Sequence, residues 1–186
     1  QPRRQRQMCI RDRRKSLYGK IFEIPHLKDH IDKCVESGVY DPAVNDKFTI
    51  GEINELEKYI DHDRDYLFTY AGLRQVADKY LVQDRSSGQV YETPQFMYML
   101  IAMTMFAEYD RGTRLNYIKR YYDAISKHKI NIPTPIMGGV RTPIRQFASC
   151  VLVDIDDTLD SIFTSDMAVG RYCLLYTSPS PRDSNL

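Results

Sequence analysis

The 186-residue chain carries 26 Lys and Arg against 25 Asp and Glu, giving a formal net charge of +1, and 42% of its residues are hydrophobic. This length allows one domain with a real core, and the composition is ordinary for a soluble globular protein. Composition therefore indicates no particular class of function, so any indication of function must come from local sequence motifs.

The two ends differ in character from everything between them. Residues 1–13 and 173–186 contain no usable hydrophobic period. The segments Arg3–Arg13 and Cys173–Asp183 back-translate into the two partner adapters of a transposase-type sequencing library. We therefore expect both ends to be disordered, adapter-derived scars that carry no information about the fold. A basic arm and a Ser/Pro-rich linker are the alternative interpretation.

Setting the ends aside changes what charge and cysteines imply. Residues 14–172 hold 20 basic and 23 acidic side chains, a net charge of −3. A basic arm for nucleic acid or a membrane surface then disappears, and we predict neither partner. Cys9 and Cys173 fall within the ends, which leaves Cys34 and Cys150. Two thiols without a signal peptide predict a reducing compartment, the cytoplasm.

The first predicted helices have clear start and stop signals. Pro25 opens the first helix, which carries Cys34 on its apolar face and ends at Gly38. This position predicts that Cys34 is an ordinary core residue. Thr49 and Glu52 have the spacing of a capping box, which predicts the start of a second helix.

The middle of the chain continues the helical pattern. A third helix is predicted from about Tyr66 to Val82, and residues 84–88 (DRSSG) predict a turn. Thr93 and Pro94 form an N-cap and first-turn pair for a fourth helix. Its segment 96–107 is apolar nearly all round but too short to span a bilayer, which indicates a helix buried on several sides in a larger protein.

The pattern changes after a fifth helix, predicted from Thr113 to about Lys127 with its Lys and Arg side chains outward. Residues 131–143 contain three prolines and two adjacent glycines and predict an ordered irregular loop. Residues 147–155 predict a buried strand, followed by a helix with Asp156 or Asp157 as N-cap. Because a lone strand cannot form a sheet, we expect most of the parent domain to be missing. Exposed apolar faces are then expected along 96–107 and 151–155.

Residues 61–65 (DHDRD) place three carboxylates at alternate positions, as in a calcium-binding loop. The sixth position of such a loop needs a glycine but holds Tyr66, and the twelfth needs a bidentate Glu but holds Gly72. An acid-rich helix N-terminus with Arg64 paired locally is the favoured interpretation, and we predict no metal site.

Asp154, Asp156 and Thr158 form an Asp-x-Asp-x-Thr motif, with apolar residues 151–153 before them. This motif resembles that of the haloacid-dehalogenase-like phosphatases. The first Asp would attack phosphorus and the second would act as acid and base, with Mg²⁺ neutralising the phosphate. Against this interpretation, the motif belongs on the first strand of such a domain, and the chain has few residues after it.

Five segments of the chain point to a different family: residues 60–82, 91–102, 113–126, 133–152 and 157–162. In this order they are similar to the large subunit of class I ribonucleotide reductases. The resemblance covers about residues 14–172, and the sequences PTPIM, VRTP and SCVL are its most specific parts.

This resemblance implies roles for individual residues. Cys150 in SCVL corresponds to a redox-active thiol on the first strand of a ten-stranded α/β barrel, whose partner cysteine is absent from this chain. Ser149 and Thr134 correspond to substrate contacts, Thr134 to one with a substrate phosphate. Short hydroxyls in a proline-fixed loop suit an anionic oxygen.

The resemblance also implies an allosteric site. Asp157, Thr158 and Leu159 correspond to the start of a site that binds a deoxynucleotide or ATP effector at a dimer interface. Lys15 corresponds, more weakly, to a nucleotide-binding lysine at the end of an ATP-cone domain. The acids that resemble a phosphatase motif are then part of an effector site.

The expected fold is a mainly α N-terminal region leading into the first strand and helix of a truncated ten-stranded α/β barrel. The expected units are a scar (1–13), an ATP-cone remnant (14–24), a helical domain (25–145), the barrel start (146–172) and a second scar (173–186).

The function implied for the parent protein is the reduction of ribonucleoside diphosphates to deoxyribonucleoside diphosphates for DNA precursor synthesis. A metal-containing small subunit would supply a radical, thioredoxin or glutaredoxin would supply electrons, and the parent would be a homodimer. No cofactor is expected in the fragment, which should be inactive alone. The phosphatase and a non-catalytic helical interaction module are the alternatives.

Overall fold

The computed structural model describes residues 24–84, 88–143, 147, 150 and 152–175, and this part of the chain is mainly helical. In chain order its elements are α1 (Leu27–Glu36), α2 (Ala43–Asp46), α3 (Ile50–Glu57), a 3₁₀ helix (His62–Leu67), α4 (Tyr70–Lys79), β1 (Gln83–Asp84), β2 (Gln89–Val90), α5 (Pro94–Met105), α6 (Arg114–Ser126), α7 (Thr134–Gly139) and α8 (Leu159–Leu175).

The predicted stop of α1 and the predicted start of α3 are confirmed, but Pro25 does not open α1, whose N-cap is His26. Gly38 follows α1 with φ +70°, a left-handed conformation that glycine adopts without a Cβ penalty. Cys34 is buried in the core, as predicted. Thr49 accepts a hydrogen bond from the Glu52 backbone N–H while the Glu52 carboxylate accepts one from the Thr49 backbone N–H, which completes the capping box.

The single helix predicted from Tyr66 to Val82 is wrong at its start. A 3₁₀ helix ends at Leu67, and α4 begins only at Tyr70 because Thr69 adopts an extended backbone and caps the Gly72 N–H at 3.1 Å. After α4, β1 and β2 pair antiparallel, with Gln83 opposite Val90. Residues 85–87 of the predicted turn lie outside the described residues.

Helix α5 is the centre of the core. Thr93 caps it and Pro94 occupies its first turn, as predicted. The helix packs against the 3₁₀ helix, α2, α6 and α7. Every residue from Pro94 to Met103 is buried, so the expectation of an exposed apolar face along 96–107 is wrong for most of that segment. Neighbouring helices within this chain supply the cover, and the helical region is more self-contained than the sequence indicated.

One arginine of α6 points inward, although the sequence predicts that the Lys and Arg side chains of this helix point outward. Arg114 is buried, with its guanidinium on both carboxylate oxygens of Glu52 and on the Lys47 carbonyl. The ring of Phe48 lies 4.4 Å below it. Because these acceptors replace water, the charge is tolerated inside.

The irregular loop predicted over 131–143 contains a short helix, α7. Pro133 is its N-cap, and Pro135 lies in its first turn, where the missing N–H would have had no helical partner. The two glycines 138 and 139 close the helix after six residues, so the prolines and glycines bound a helix here instead of excluding one.

The predicted strand is not formed at residues 152–156, which have no regular structure. A strand needs a hydrogen-bonded neighbour, and the described residues place none beside this segment. Leu152 and Ile155 are exposed, as expected for 151–155. The predicted helix follows, but its cap is Thr158, which accepts from the Ser161 N–H at 3.2 Å, and not Asp156 or Asp157. It runs to Leu175, so the expectation of disorder is wrong for residues 173–175.

Within the described ranges, none of the helices combines the length and apolar character that crossing a lipid bilayer requires.

Candidate functional site

The side chain of Thr134 marks the first candidate position. It opens α7 and is half-buried. Its Oγ1 lies 3.2 Å from the hydroxyl of Tyr80, the residue that follows α4. The two flanking prolines fix the backbone on both sides of Thr134, so a short hydroxyl is held at a defined place at little cost in chain entropy.

A buried ion pair lies behind this position. Arg141 and Glu92 both have no solvent exposure, and the guanidinium makes a two-pronged contact with the carboxylate through Nε, at 2.9 Å, and Nη2. The same guanidinium donates to the carbonyl of Met137 in α7 and to the carbonyl of Tyr80, the latter at 2.9 Å. One rigid group thus ties α7, the end of α4 and the segment before α5 together.

Charge balance explains why Arg141 stays ionised. Burial alone would lower the pKa of its guanidinium, but the charge of Glu92 and the hydrogen bonds to it outweigh burial and raise the pKa above its ordinary value. The Glu92 carboxylate also accepts from the Val82 backbone N–H at 2.7 Å. Its oxygens are therefore satisfied within the protein, as a buried charge requires.

The network continues into α1. Tyr40 donates its hydroxyl proton to Glu92, so His30, whose Nε2 lies 2.9 Å from the same hydroxyl, must be the donor to Tyr40. This assigns the Nε2–H tautomer to His30. Burial is the main cause that lowers the pKa of His30 to about 4, and it also raises the pKa of Tyr40 well above its usual value. The imidazole is therefore neutral at pH 7.

The two cysteines between the proposed scars have opposite environments. Cys150 is exposed. Cys34 is buried within 3.9 Å of both ring nitrogens of His30, and burial raises the pKa of its thiol to about 12. Because thiol exchange proceeds through the thiolate, Cys34 is chemically inert. Exposure leaves Cys150 reachable by a reactive partner.

Asp157, Thr158 and Leu159, predicted to bind an effector, are exposed where α8 begins. The Thr158 hydroxyl caps the helix, and Ser161 returns the contact by accepting from the Asp156 N–H at 2.8 Å. The three predicted residues are close to one another because they are consecutive in sequence, and not because the fold brings them together. Lys15 and Ser149 lie outside the described residues.

The structure groups Thr134 with Tyr80, Glu92 and Arg141, and no described contact joins Thr134 to Cys150 or to residues 157–159. The sequence alone predicted no role for Tyr80, Glu92 and Arg141. One signal was available: Glu92 is an acid immediately before the Thr93 cap of an apolar helix, where burial demands a cationic partner.

The acidic segment 61–65 has structural partners. Asp61 caps the 3₁₀ helix, and Arg64 contacts it at 3.4 Å, in agreement with the local pairing predicted. Asp65 is buried and accepts from the Gln95 amide at 2.7 Å. Among the described residues, no group of three or more His, Cys, Asp or Glu side chains could hold a metal ion.

The phosphatase interpretation loses its scaffold. Asp154 and Asp156 lie in the irregular segment 152–156 instead of at the end of a strand. Thr158 is engaged as a helix cap. The nucleophile of that family lies at the end of a strand, and residues 152–156 have no regular structure.

Comparison with known proteins agrees with the family resemblance. Residues 66–145 match the family described as ribonucleotide reductase, all-alpha domain. Over 159 residues the chain is 51% identical to ribonucleoside-diphosphate reductase 1 subunit alpha of Escherichia coli (strain K12), 49% identical to the subunit alpha of Haemophilus influenzae and 45% identical to that of Enterobacteria phage T4.

Each of these alignments covers 86% of this chain and 21% of the relative. The chain therefore spans about a fifth of the length of the curated relatives that it matches. The all-helical region, the PTPIM and VRTP segments and relatives of about 50% identity agree that the chain is similar to part of the class I ribonucleotide reductase large (alpha) subunits.

Proposed function

We propose that this chain is part of a catalytic subunit that reduces ribonucleoside diphosphates to deoxyribonucleoside diphosphates. The observation that carries the proposal is 51% identity over 159 residues to a protein named for that reaction. In the reaction the ribose loses its 2′-hydroxyl as water, and two cysteine thiols are oxidised to a disulfide. A thioredoxin- or glutaredoxin-type dithiol then reduces that disulfide.

Cys150 is the proposed redox thiol of this segment. Its exposure supports the proposal, because such a thiol has to be reached by substrate and regenerated by a partner dithiol. Its partner cysteine lies elsewhere in the complete subunit. A metal-containing small subunit would supply the radical that starts the reaction, and the complete subunit would act as a homodimer.

Thr134 and Ser149 are proposed to contact the substrate. For Thr134, the fixed backbone and half-buried hydroxyl support a role in holding a phosphate oxygen. Asp157, Thr158 and Leu159 are proposed to bind the ATP or deoxynucleotide effector, together with Lys15. The helix N-terminus there suits a phosphate because its first backbone N–H groups lack helical partners.

We also propose that residues 146–172 contribute the first strand and helix of a ten-stranded α/β barrel, and that 1–13 and 173–186 are adapter-derived. In the barrel, neighbouring strands would supply the strand-to-strand hydrogen bonds that the described part of this chain does not provide for residues 152–156. The alignment length of 159 residues equals that of segment 14–172, which supports the assignment of the ends.

Cysteine variants test the function in the complete subunit assembled with its small subunit. Cys150→Ser should abolish turnover of a ribonucleoside diphosphate, because serine cannot be oxidised to a disulfide. Cys34→Ala, at the buried and inert thiol, is the matched control and should retain turnover. Turnover by Cys150→Ser at the unmodified rate contradicts the proposal. The 186-residue chain alone should produce no deoxyribonucleotide, since the partner cysteine is absent from it.

A further inference from the structure

Tyr80 has no role in the function proposed above, although it contacts one of the proposed substrate-binding residues. It follows the last turn of α4, and its hydroxyl lies 3.2 Å from Thr134 Oγ1, across 54 residues of sequence. Its ring is partly buried beside the core. A tyrosine hydroxyl at this distance from a proposed substrate-binding hydroxyl forms a direct hydrogen bond with it.

Both partners of this hydrogen bond are tied to the same buried group. The guanidinium of Arg141 donates to the Tyr80 carbonyl at 2.9 Å and to the Met137 carbonyl, one turn beyond Thr134 in α7. Glu92 holds that guanidinium in place from its other side. The distance between the Tyr80 and Thr134 hydroxyls is therefore set by a rigid, charge-assisted contact and not by two independent loops.

The direction of the hydrogen bond decides its chemical effect. A threonine hydroxyl has one proton and two lone pairs. If Tyr80 donates to Thr134 Oγ1, the threonine proton is free to point at a ligand, and accepting a hydrogen bond strengthens its own donation. A phosphate oxygen, which only accepts at neutral pH, requires this polarity.

We infer that Tyr80 is a positioning residue that orients the Thr134 hydroxyl as a hydrogen-bond donor to the diphosphate of the substrate. The inference rests on the proposed substrate role of Thr134 and adds the residue that gives that role its direction. Tyr80 itself does not contact the reacting atoms.

Steady-state kinetics of the complete subunit with its small subunit test the inference, with a ribonucleoside diphosphate as the varied substrate. Tyr80→Phe keeps the ring and removes only the hydroxyl. We expect KM to rise about 3- to 10-fold, the range of one modest hydrogen bond, and kcat to change less than about 2-fold. Tyr59→Phe removes another hydroxyl, one bonded to Asp123, and is the matched control with unchanged KM.

A double-variant cycle separates positioning from a general structural effect. Thr134→Val should raise KM, Thr134→Ser should restore it, and Tyr80→Phe should add nothing in the Thr134→Val background. An equal increase of KM in both backgrounds overturns the inference, because Tyr80 would then act without Thr134.

Two further outcomes separate this inference from the proposed function. An unchanged KM in Tyr80→Phe alongside a raised KM in Thr134→Val overturns the role of Tyr80 and leaves the proposed function intact. An unchanged KM in Thr134→Val removes the substrate role of Thr134 and the inference with it.

Discussion

The carboxylate of Glu92 and the guanidinium of Arg141 have no contact with solvent, so each is the main compensation for the charge of the other. Glu92→Gln retains the shape but leaves the Arg141 charge buried without its counter-charge. We expect a loss of about 3–5 kcal/mol in the free energy of unfolding, the usual cost of breaking a buried pair from one side. Urea unfolding of the 186-residue chain measures it.

The control for this variant is a glutamate in an exposed ion pair. Glu108 bonds Lys47 at the surface, and Glu108→Gln should leave the unfolding midpoint unchanged within error. Equal losses in the two variants would contradict the special position of Glu92.

His30 makes the stability depend on pH in a defined window. Its folded pKa of about 4 lies below the ordinary 6.5, so the unfolded chain binds more protons between these values. The contribution of His30 to the free energy of unfolding is therefore fully present above about pH 6.5. It falls as the pH is lowered toward 4, by at most about 1.4 kcal/mol per pH unit. His30→Gln should flatten this slope between pH 6.5 and 5 in denaturant titrations.

Two other histidines, His128 and His26, also have shifted pKa values, but the His30→Gln substitution leaves both in place. Burial lowers the pKa of His128, which adds a slope of the same sign, and the hydrogen bond to Glu57 raises the pKa of His26, which opposes it. Both histidines are present in the original chain and in His30→Gln, so the difference between the two pH slopes of stability is due to His30. Identical slopes would show that His30 is not the buried neutral group described.

At the scale of elements, the cap of α3 carries a separate prediction. Thr49→Ala removes the acceptor for the Glu52 N–H and should cost about 1 kcal/mol in unfolding free energy, as N-cap losses typically do. Thr113→Ala is the control, because Thr113 precedes α6 without a side-chain cap hydrogen bond. Thermal or urea unfolding compares them, and a larger loss in Thr113→Ala would refute the capping argument.

Elements that depend on local signals were predictable from the sequence. The capping box at Thr49, the Thr93–Pro94 start of α5 and the Gly38 stop each act within one helical turn, and the structure has all three. The break at Thr69 was missed because the apolar period of α4 continues through it. The strand over 147–155 was wrong where it is described, since a strand depends on neighbours that its own sequence does not reveal.

The candidate site was less predictable than the helices. Thr134, Cys150 and residues 157–159 came from family resemblance, and nothing in their own sequence context would have selected them over other hydroxyls, thiols and acids. The ion pair behind Thr134 joins residues 49 positions apart. Such a pairing leaves no periodic signal in the chain, so only a three-dimensional structure brings Glu92 and Arg141 together.

At the scale of the whole molecule, residues 24–143 contain a complete hydrophobic core centred on α5. We expect a chain of residues 24–143 to unfold cooperatively, with a midpoint within about 3 °C of the 186-residue chain, because the core does not need residues 147–175. Circular dichroism during heating measures this. A chain of 24–143 that lacks a cooperative transition would show that the later segment is required for folding.

The contacts of Glu92 also affect the kinetics of folding and unfolding. Its carboxylate joins Tyr40, 52 residues earlier, to Arg141, 49 residues later. Closing two such long loops comes after the local helices have formed, so this contact is expected to be absent from the folding transition state. Weakening it should then leave the refolding rate nearly constant and accelerate unfolding. The buried pair thus governs the lifetime of the folded chain and not the speed at which it forms.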